Sequence, residues 1–370
     1  MTVPHMTEKN TQSAENHPPE KKGKKTKKVS VLAVVFAVTL LATLTAVAAG
    51  LAWMNVFLTT PPNPSGKSQT FVVTPGQSLN TISQGLKRDG LITDALRFKI
   101  LTLYKKAATR IKTGEYTLSP AMTPDRILAA LLSGRVKLYR FTVPEGLNMF
   151  EISVLAETAG FCTSKDFLTL CRDNTFISEL NLPDLRLGQT LEGYLYPDTY
   201  YFPKNTDCRT VIEKMVQTFE TVFTEDWKNR ATQMGFSVHD IVTLASIVEK
   251  ETGKAEERPL IASVFHNRLK RKMRLESDPT VIYNVDDYHG RIRYKHLRRK
   301  TPYNTYQIHG LPLGPIANPG ALALEAVLYP AKSDYLFFVS KNDTTHQFST
   351  NLRDHNKAVR KYQLGGKSKK

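Results

Sequence analysis

The chain has 370 residues, 41% hydrophobic and 23% charged, with 51 Lys and Arg against 34 Asp and Glu and a net charge of +17. That composition excludes a disordered protein and fills two or three domains. The charge suits an anionic partner, whether nucleic acid, headgroups or wall polymer. Three cysteines exclude a disulfide-stapled scaffold and offer no zinc spacing.

Residues 1–28 read as a disordered polar arm ending in Lys21, Lys22, Lys24, Lys25, Lys27 and Lys28. No Asp, Glu, Lys or Arg follows until after Gly66. Residues 29–58 are mostly apolar, which exceeds the roughly 20 residues needed to cross a bilayer as a helix. Lysines before the stretch and none after it predict a cytoplasmic N-terminus, with the rest of the chain outside the cytoplasm. A cleaved signal peptide, with Ala46-Val47-Ala48 for the peptidase, is the competing reading; the length of the apolar run opposes it. Export removes nucleic acid from the partner classes. It also permits one pair among Cys162, Cys171 and Cys208 to oxidise, although buried free thiols are the plainer expectation.

Residues 59–69 form a proline-rich linker. Phe71-Val72-Val73 then reads as a strand, Pro75-Gly76 as a turn, and Ser78 as the cap of a helix running to about Arg88 and closed by Gly90. The pattern recurs 70 residues later. Phe141, Val143, Gly146, Ile152, Ser153, Gly160 and Thr163 repeat Phe71, Val73, Gly76, Ile82, Ser83, Gly90 and Thr93, seven identities in 23 ungapped positions. Average usage gives about one or two by chance, so we read two copies of a strand–turn–helix unit. Between them Gly114–Leu118 reads as a strand. Thr123-Pro124-Asp125 opens a helix with Ile127, Leu128, Leu131 and Leu132 on one face, ended by Gly134. Residues 70–140 look like the LysM-like modules that bind wall glycans; a structural lid or spacer fits the same pattern. Residues 141–362 form the second, larger domain, and 363–370 a basic tail.

In that larger domain, Leu191–Tyr200 is dense in aromatics. A core-facing hairpin explains them, and a sugar cleft lined by Glu192 and Asp198 is the alternative. His239–Gly253 reads as an amphipathic helix with the stripe Ile241, Leu244, Ala245 and Val248. Glu249 and Glu251 flank the stripe. A carboxyl at the margin of an apolar face is half desolvated, which raises its pKa and suits a general acid. The helical wheel does not choose between the two. A basic helix follows, with Arg268, Lys270, Arg271, Lys272 and Arg274, then Ser277–Tyr283, Tyr303–Tyr306 and the Gly- and Pro-rich loop Gly310–Gly320. Tyr335–Val339 reads as a buried strand, His346–Ser349 as another, and Asn351–Tyr362 as a final helix.

The segments Leu191–Tyr200, Ala245–Thr252, Ser277–Tyr283, Tyr303–Tyr306, Gly310–Gly320 and His346–Asn356 resemble, in order, the bacterial MltG/YceG-like family of membrane-anchored endolytic murein transglycosylases. The resemblance implies cleavage of peptidoglycan strands between N-acetylmuramic acid and N-acetylglucosamine. It makes the first Glu of Ile-Val-Glu-Lys-Glu, Glu249, the catalytic acid, and it implies a role in terminating nascent strands with peptidoglycan synthases as candidate partners. Two departures touch loop details: Leu313 where a second proline is common, and Glu276 where Gln is frequent.

The chemistry needs one carboxyl. It protonates the bridging oxygen, the muramic acid 6-hydroxyl attacks C1 in place of water, and a 1,6-anhydro end results. Candidates for holding the sugar are Glu192, Asp278, Asn304, Thr305 and Tyr306, with Glu251 as reserve acid. No cofactor is expected. A metal site is not expected either, because His289, His296 and His309 lack ligand spacing, and Ser246 lacks a nucleophile elbow. Two other functions keep the same features: a catalytically idle wall-binding scaffold, and a hydrolase pairing Glu249 with Asp278 or Glu192. The expected architecture is α+β: one transmembrane helix, a small LysM-like module and a mixed catalytic domain with an open cleft.

Overall fold

The computed structural model describes residues 30–180, 182, 185, 189–252, 254–285, 288 and 290–365. The basic arm, His289 and the end of the basic tail lie outside the described residues. Helix α1, Val31–Thr59, is capped by the Ser30 side chain and carries no charged residue. Its apolar side chains are exposed along most of its length. Thr39, Thr43 and Thr45 each donate their hydroxyl to a carbonyl four residues earlier, so their polar atoms are satisfied without water. Among the described residues it is the one helix long and apolar enough to cross a membrane.

Next comes β1 (Gln69–Val73), α2 (Leu79–Arg88), α3 (Ala95–Tyr104) and β2 (Gly114–Leu118), with β1 antiparallel to β2. Ser78 and Asp94 cap the two helices with their side chains. Helix α4 (Pro124–Ser133) starts at the Thr123 cap and ends at Gly134 in the left-handed conformation. One face of each element closes a core of Phe71, Val73, Ile82, Leu86, Phe98, Tyr116, Ile127 and Leu131. Phe57, near the end of α1, is buried in that same core, with Met54 and Leu58 packed against it. Burying Phe57 contributes about 2 kcal/mol and welds the end of α1 to this unit.

The second copy has the same frame with one more helix: β3 (Leu138–Thr142), α5 (Met149–Thr158), α6 (Ser164–Leu170), α7 (Asn174–Glu179) and β4 (Thr199–Pro203), with β3 antiparallel to β4. The repeated residues hold the same places. Phe71 and Phe141, Val73 and Val143, Ile82 and Ile152, and Ser83 and Ser153 are all buried. Gly76 and Gly146 turn with φ of 78° and 77°, a region that favours glycine. No hairpin forms within 191–200. Residues before Thr199 make a turn, and β4 pairs with β3 instead.

The second copy shares its core with the helical remainder. That remainder comprises α8 (Cys208–Val222), α9 (Glu225–Met234), α10 (Val238–Glu251), a 3₁₀ turn at Ala255–Glu257, α11 (Arg258–Lys270), α12 (Asp278–Ile282), α13 (Tyr294–Leu297) and α14 (Ala321–Leu328). Ile241, Val242, Leu244, Ala245, Ile247 and Val248 of α10 are all fully buried, so this helix is the axis of the core. The strands β5 (Phe337–Ser340) and β6 (His346–Ser349) pair antiparallel, and α15 (Leu352–Tyr362) follows its Asn351 cap. The first of these strands is half-buried, not fully buried as its apolar run suggests. The whole is a mixed α+β fold with one long apolar N-terminal helix.

Of the two states the sequence leaves open for the cysteines, the structure has one oxidised pair rather than three free thiols. Cys162 and Cys208 form a disulfide, and Cys171 is free and buried. The bond joins the turn after α5 to the first residue of α8 across 46 residues. Loop closure of that size is worth about 4 kcal/mol. Cys208→Ser, or reduction with dithiothreitol, should lower the melting temperature of the full chain by calorimetry, and the reductant should have no further effect on the variant.

Candidate active site

Helix α10 opens on a capping box between Ser237 and Asp240 and delivers Glu249 at its far end. One Glu249 oxygen accepts from Arg258 Nη2 at 3.0 Å and the other from Gly320 N–H at 3.1 Å. Only 6% of the Glu249 side chain and 7% of Arg258 are exposed. The Gly310–Gly320 loop lies along the helix because α10 side chains bind its backbone: Ser246 Oγ accepts from Ile316 N–H at 3.0 Å, just as Glu249 accepts from Gly320. Ser246 is thus a loop anchor, not a nucleophile.

A second carboxylate stands beside the first. Glu145 lies in the β3–α5 turn, 3.9 Å from the same Arg258 Nη2, with 47% of its side chain exposed. It passes directly over Gly320, where an added Cβ would sit 1.9 Å from its Oε1. Burial and the neighbouring Glu249 push the Glu145 pKa up, while Arg258 opposes the shift. The turn is held on both sides: Gly146 N–H donates to Asn318 O (2.9 Å), and Lys250 Nζ donates to Gly146 O (3.0 Å). Glu145 is not among the residues that the sequence motifs single out. The signal was present, since Glu145 occupies the turn position that the first copy fills with Pro75.

Glu192 is enclosed by protein, with 1% exposure. Met149 N–H donates to both its oxygens (3.0 Å), Tyr283 Oη to one (2.8 Å) and Asn318 Nδ2 to the other (2.8 Å). Burial wins over these donors and pushes its pKa up to about 7. Asn318 completes the knot. Its Oδ1 accepts from Gly193 and Leu195 N–H (2.9 Å each), and its Nδ2 also donates to Leu147 O (2.9 Å). Gly193 has φ of 89° and no room for a side chain, since a Cβ would meet Pro315 at 2.5 Å and Val242 at 2.7 Å.

Asn304 and Thr305 are buried too. Asn304 Nδ2 donates to the carbonyls of His296, Leu297 and Arg299, tying the end of α13. Thr305 Oγ1 accepts from Ser277 N–H at 2.9 Å and lies 2.8 Å from Thr280 Oγ1. The remaining candidates come together elsewhere. Glu251, Asp278 and Tyr306 line a cavity of about 360 Å³ with Glu276 and Arg268. Tyr306 Oη donates to Asp278 (2.8 Å) and Ser277 Oγ to Glu251 (2.5 Å). Burial, reinforced by Asp278, pushes Glu251 up to about 7. Both glutamates of the motif thus have a second carboxylate and an arginine nearby, but Glu249 bonds its arginine directly at 3.0 Å, whereas burial and Asp278 outweigh Arg268 at Glu251. A larger cavity, about 670 Å³, lies between β4 and α8 and includes Asp198 and Tyr201.

Among the described residues no group of three His, Cys, Asp or Glu is placed to hold a metal. His309 Nδ1 lies 3.2 Å from Lys272 O, and His296 is buried beside Asn304.

The Glu192 pKa gives a stability prediction. Its folded value, about 7, exceeds the ~4.3 of an unfolded glutamate, so folding favours the protonated form. That contribution is full below about pH 4 and is lost as pH rises through about 7. Glu192→Gln turns an amide NH₂ toward groups that are themselves donors, which costs about 1–3 kcal/mol. Melting curves should show the variant less stable at pH 4, with a shallower fall toward pH 8; Glu251 supplies the slope that persists.

The profile of the YceG-like family matches residues 71–361. An endolytic murein transglycosylase of Bacillus subtilis (strain 168) is 36% identical over 299 residues, 78% of this chain and 82% of that protein. The endolytic murein transglycosylase of Streptococcus pneumoniae serotype 2 is 30% identical over 328 residues, 80% of this chain and 58% of its own length. A crystal structure of a putative YceG-like protein from Listeria monocytogenes superposes with a TM-score of 0.55 at 33% identity, covering 79% of this chain and 98% of that one. With the family profile spanning most of the chain and relatives at this identity, the protein belongs to the YceG-like family.

Proposed function

We propose that this chain is a membrane-anchored endolytic lytic transglycosylase. It cleaves the N-acetylmuramic acid to N-acetylglucosamine bond of peptidoglycan, leaves a 1,6-anhydro end and terminates nascent strands outside the cytoplasmic membrane. The observation that carries this reading is Glu249, held on one oxygen by Arg258 and on the other by Gly320 N–H, in a chain whose relatives bear the name of that activity.

Protonated Glu249 donates to the bridging oxygen. The C1–O bond breaks and its electron pair leaves with that oxygen. The 6-hydroxyl oxygen then bonds to C1 and its proton passes to Glu249, restoring the acid with no water consumed. Between these steps Glu249 is a carboxylate, and the Arg258 guanidinium and Gly320 N–H are already oriented to stabilise it. Glu145, half exposed across Arg258, faces the positive charge that develops at C1. Asp278, Tyr306 and Glu251 bind sugar hydroxyl or acetamido groups. We assign Glu192, Asn304 and Thr305 to positioning: they hold the 144–149 turn and the 303–306 segment through the bonds described above.

The strand–helix–helix–strand order of residues 69–118 supports a LysM-like, glycan-binding first module within 70–140, ahead of a catalytic domain over 141–362. The burial of Phe57 in that module favours α1 as an uncleaved anchor, since cleavage after Ala48 would leave the module core closed by a loose end. A hydrolase is the second reading, because Glu145 gives Glu249 the carboxylate partner that hydrolysis by water requires.

Digestion of purified murein by the full chain in detergent, read by mass spectrometry, tests the proposal. Anhydro ends are expected from the native protein, with a loss of about 10²- to 10⁴-fold in Glu249→Gln. Reducing ends would establish the hydrolase instead. A loss of that size in Glu251→Gln, with Glu249→Gln still active, would transfer the acid role. Glu145→Gln should lose about 10- to 100-fold in kcat with an unchanged melting temperature; full activity in that variant would remove Glu145 from the chemistry.

A further inference from the structure

Helix α3 is apolar on two sides. Ala95, Phe98 and Leu101 face the core of the first βααβ unit. On the outside, Leu96, Ile100, Leu103 and Tyr104 are 61, 41, 53 and 85% exposed. Their spacing puts them on one helical face, and a contiguous outward apolar face marks a contact surface.

The position of that face relative to α1 identifies the contact. The Arg97 guanidinium of α3 lies 3.7 Å from the Trp53 ring centroid and 5.7 Å from that of Phe57. The first turn of α3 therefore lies at the level of Trp53, while α1 packs mainly on α4. Helix α1 has 29 residues, about 43 Å of helix, against a hydrocarbon layer of about 30 Å. About nine residues, from Leu51 to Thr59, then extend into the headgroup zone, where Trp is favoured. Lys99 lies on the same helix and Lys105, Lys106 and Arg110 follow it in the chain, the charge that anionic headgroups attract.

We infer that the outward face of α3 lies on the outer surface of the bilayer crossed by α1, with Leu96, Ile100, Leu103 and Tyr104 in the boundary between headgroups and acyl chains. The inference rests on the reading of α1 as an anchor. It makes the first module a foot on the membrane, which fixes the height and tilt at which the rest of the chain meets a glycan strand. The partner is lipid rather than another protein, because α3 touches the emerging anchor through Arg97 and carries or is followed by cations.

Spin labels on the full chain, reconstituted in vesicles of phosphatidylethanolamine and phosphatidylglycerol, test this. Cys162 and Cys208 are bonded and Cys171 is buried, so labels at Leu103→Cys or Tyr104→Cys are selective. Leu44→Cys in α1 and the exposed Tyr201→Cys serve as references. The ratio of collisions with lipid-soluble oxygen to collisions with a water-soluble nickel chelate should be several-fold higher at 103 and 104 than at 201, and nearer to that at 44. Ratios at 103 and 104 equal to that at 201, with 44 in the bilayer, would overturn the inference and leave the anchor standing. Shielding of 103 and 104 from both relaxants would overturn it in favour of a protein contact. Nickel access at 44 would remove the anchor, and this inference with it.

Discussion

The side chain of Asn318 holds together three stretches of chain that are remote in sequence. Through two acceptor and two donor bonds it joins the 146–149 turn, the 192–195 segment and its own loop. Every one of those bonds is buried or half-buried, and an unpaired group there costs about 1–3 kcal/mol. Two residues further on, Gly320 N–H reaches Glu249. The position of the proposed acid is therefore inherited from an amide knot, with Glu192 as its ionisable neighbour. A loop with so many Gly and Pro residues has no ladder of its own to stiffen it, so side chains from α10 and the knot supply what secondary structure does not.

Four carboxyls near this region differ in fate because their surroundings differ. Glu192 is sealed among donors, and burial still dominates. Glu251 is desolvated beside Asp278. Glu145 stands half in solvent next to Glu249, and Glu249 has a guanidinium and a backbone N–H on its two oxygens. An acid that must also act as base in the second half of a cycle needs a site that tolerates its ionised form. Of the four, Glu249 has the guanidinium at 3.0 Å to do so.

The internal repeat links the two halves. Both copies turn at a left-handed glycine between strand and helix, and both close with an antiparallel partner strand. In the first copy the core also takes in Phe57 of the long apolar helix α1; in the second, the equivalent turn carries Glu145 to Arg258. The same supersecondary unit thus faces the N-terminal apolar helix in one place and the proposed chemistry in the other.

Local signals made much of the fold legible. The Ser78 and Thr123 caps, Gly134 as terminator, the α10 stripe, the Asn351 cap and the repeat itself all depend on residues within a few positions of one another. They were readable because backbone conformation and helical periodicity are short-range properties. The family motif singled out Glu249 for the same reason. What the sequence could not supply were pairings between distant segments: Cys162 with Cys208, β4 with β3 rather than within a hairpin, and Glu145 over Gly320 beside Glu249. Nor could it separate Glu192, Asn304 and Thr305, whose polar atoms are consumed by the protein, from Asp278 and Tyr306 at a cavity. Desolvation and hydrogen-bond partnership belong to the packed chain, so residue type alone marked these as polar, and only tertiary structure decided which of them face inward.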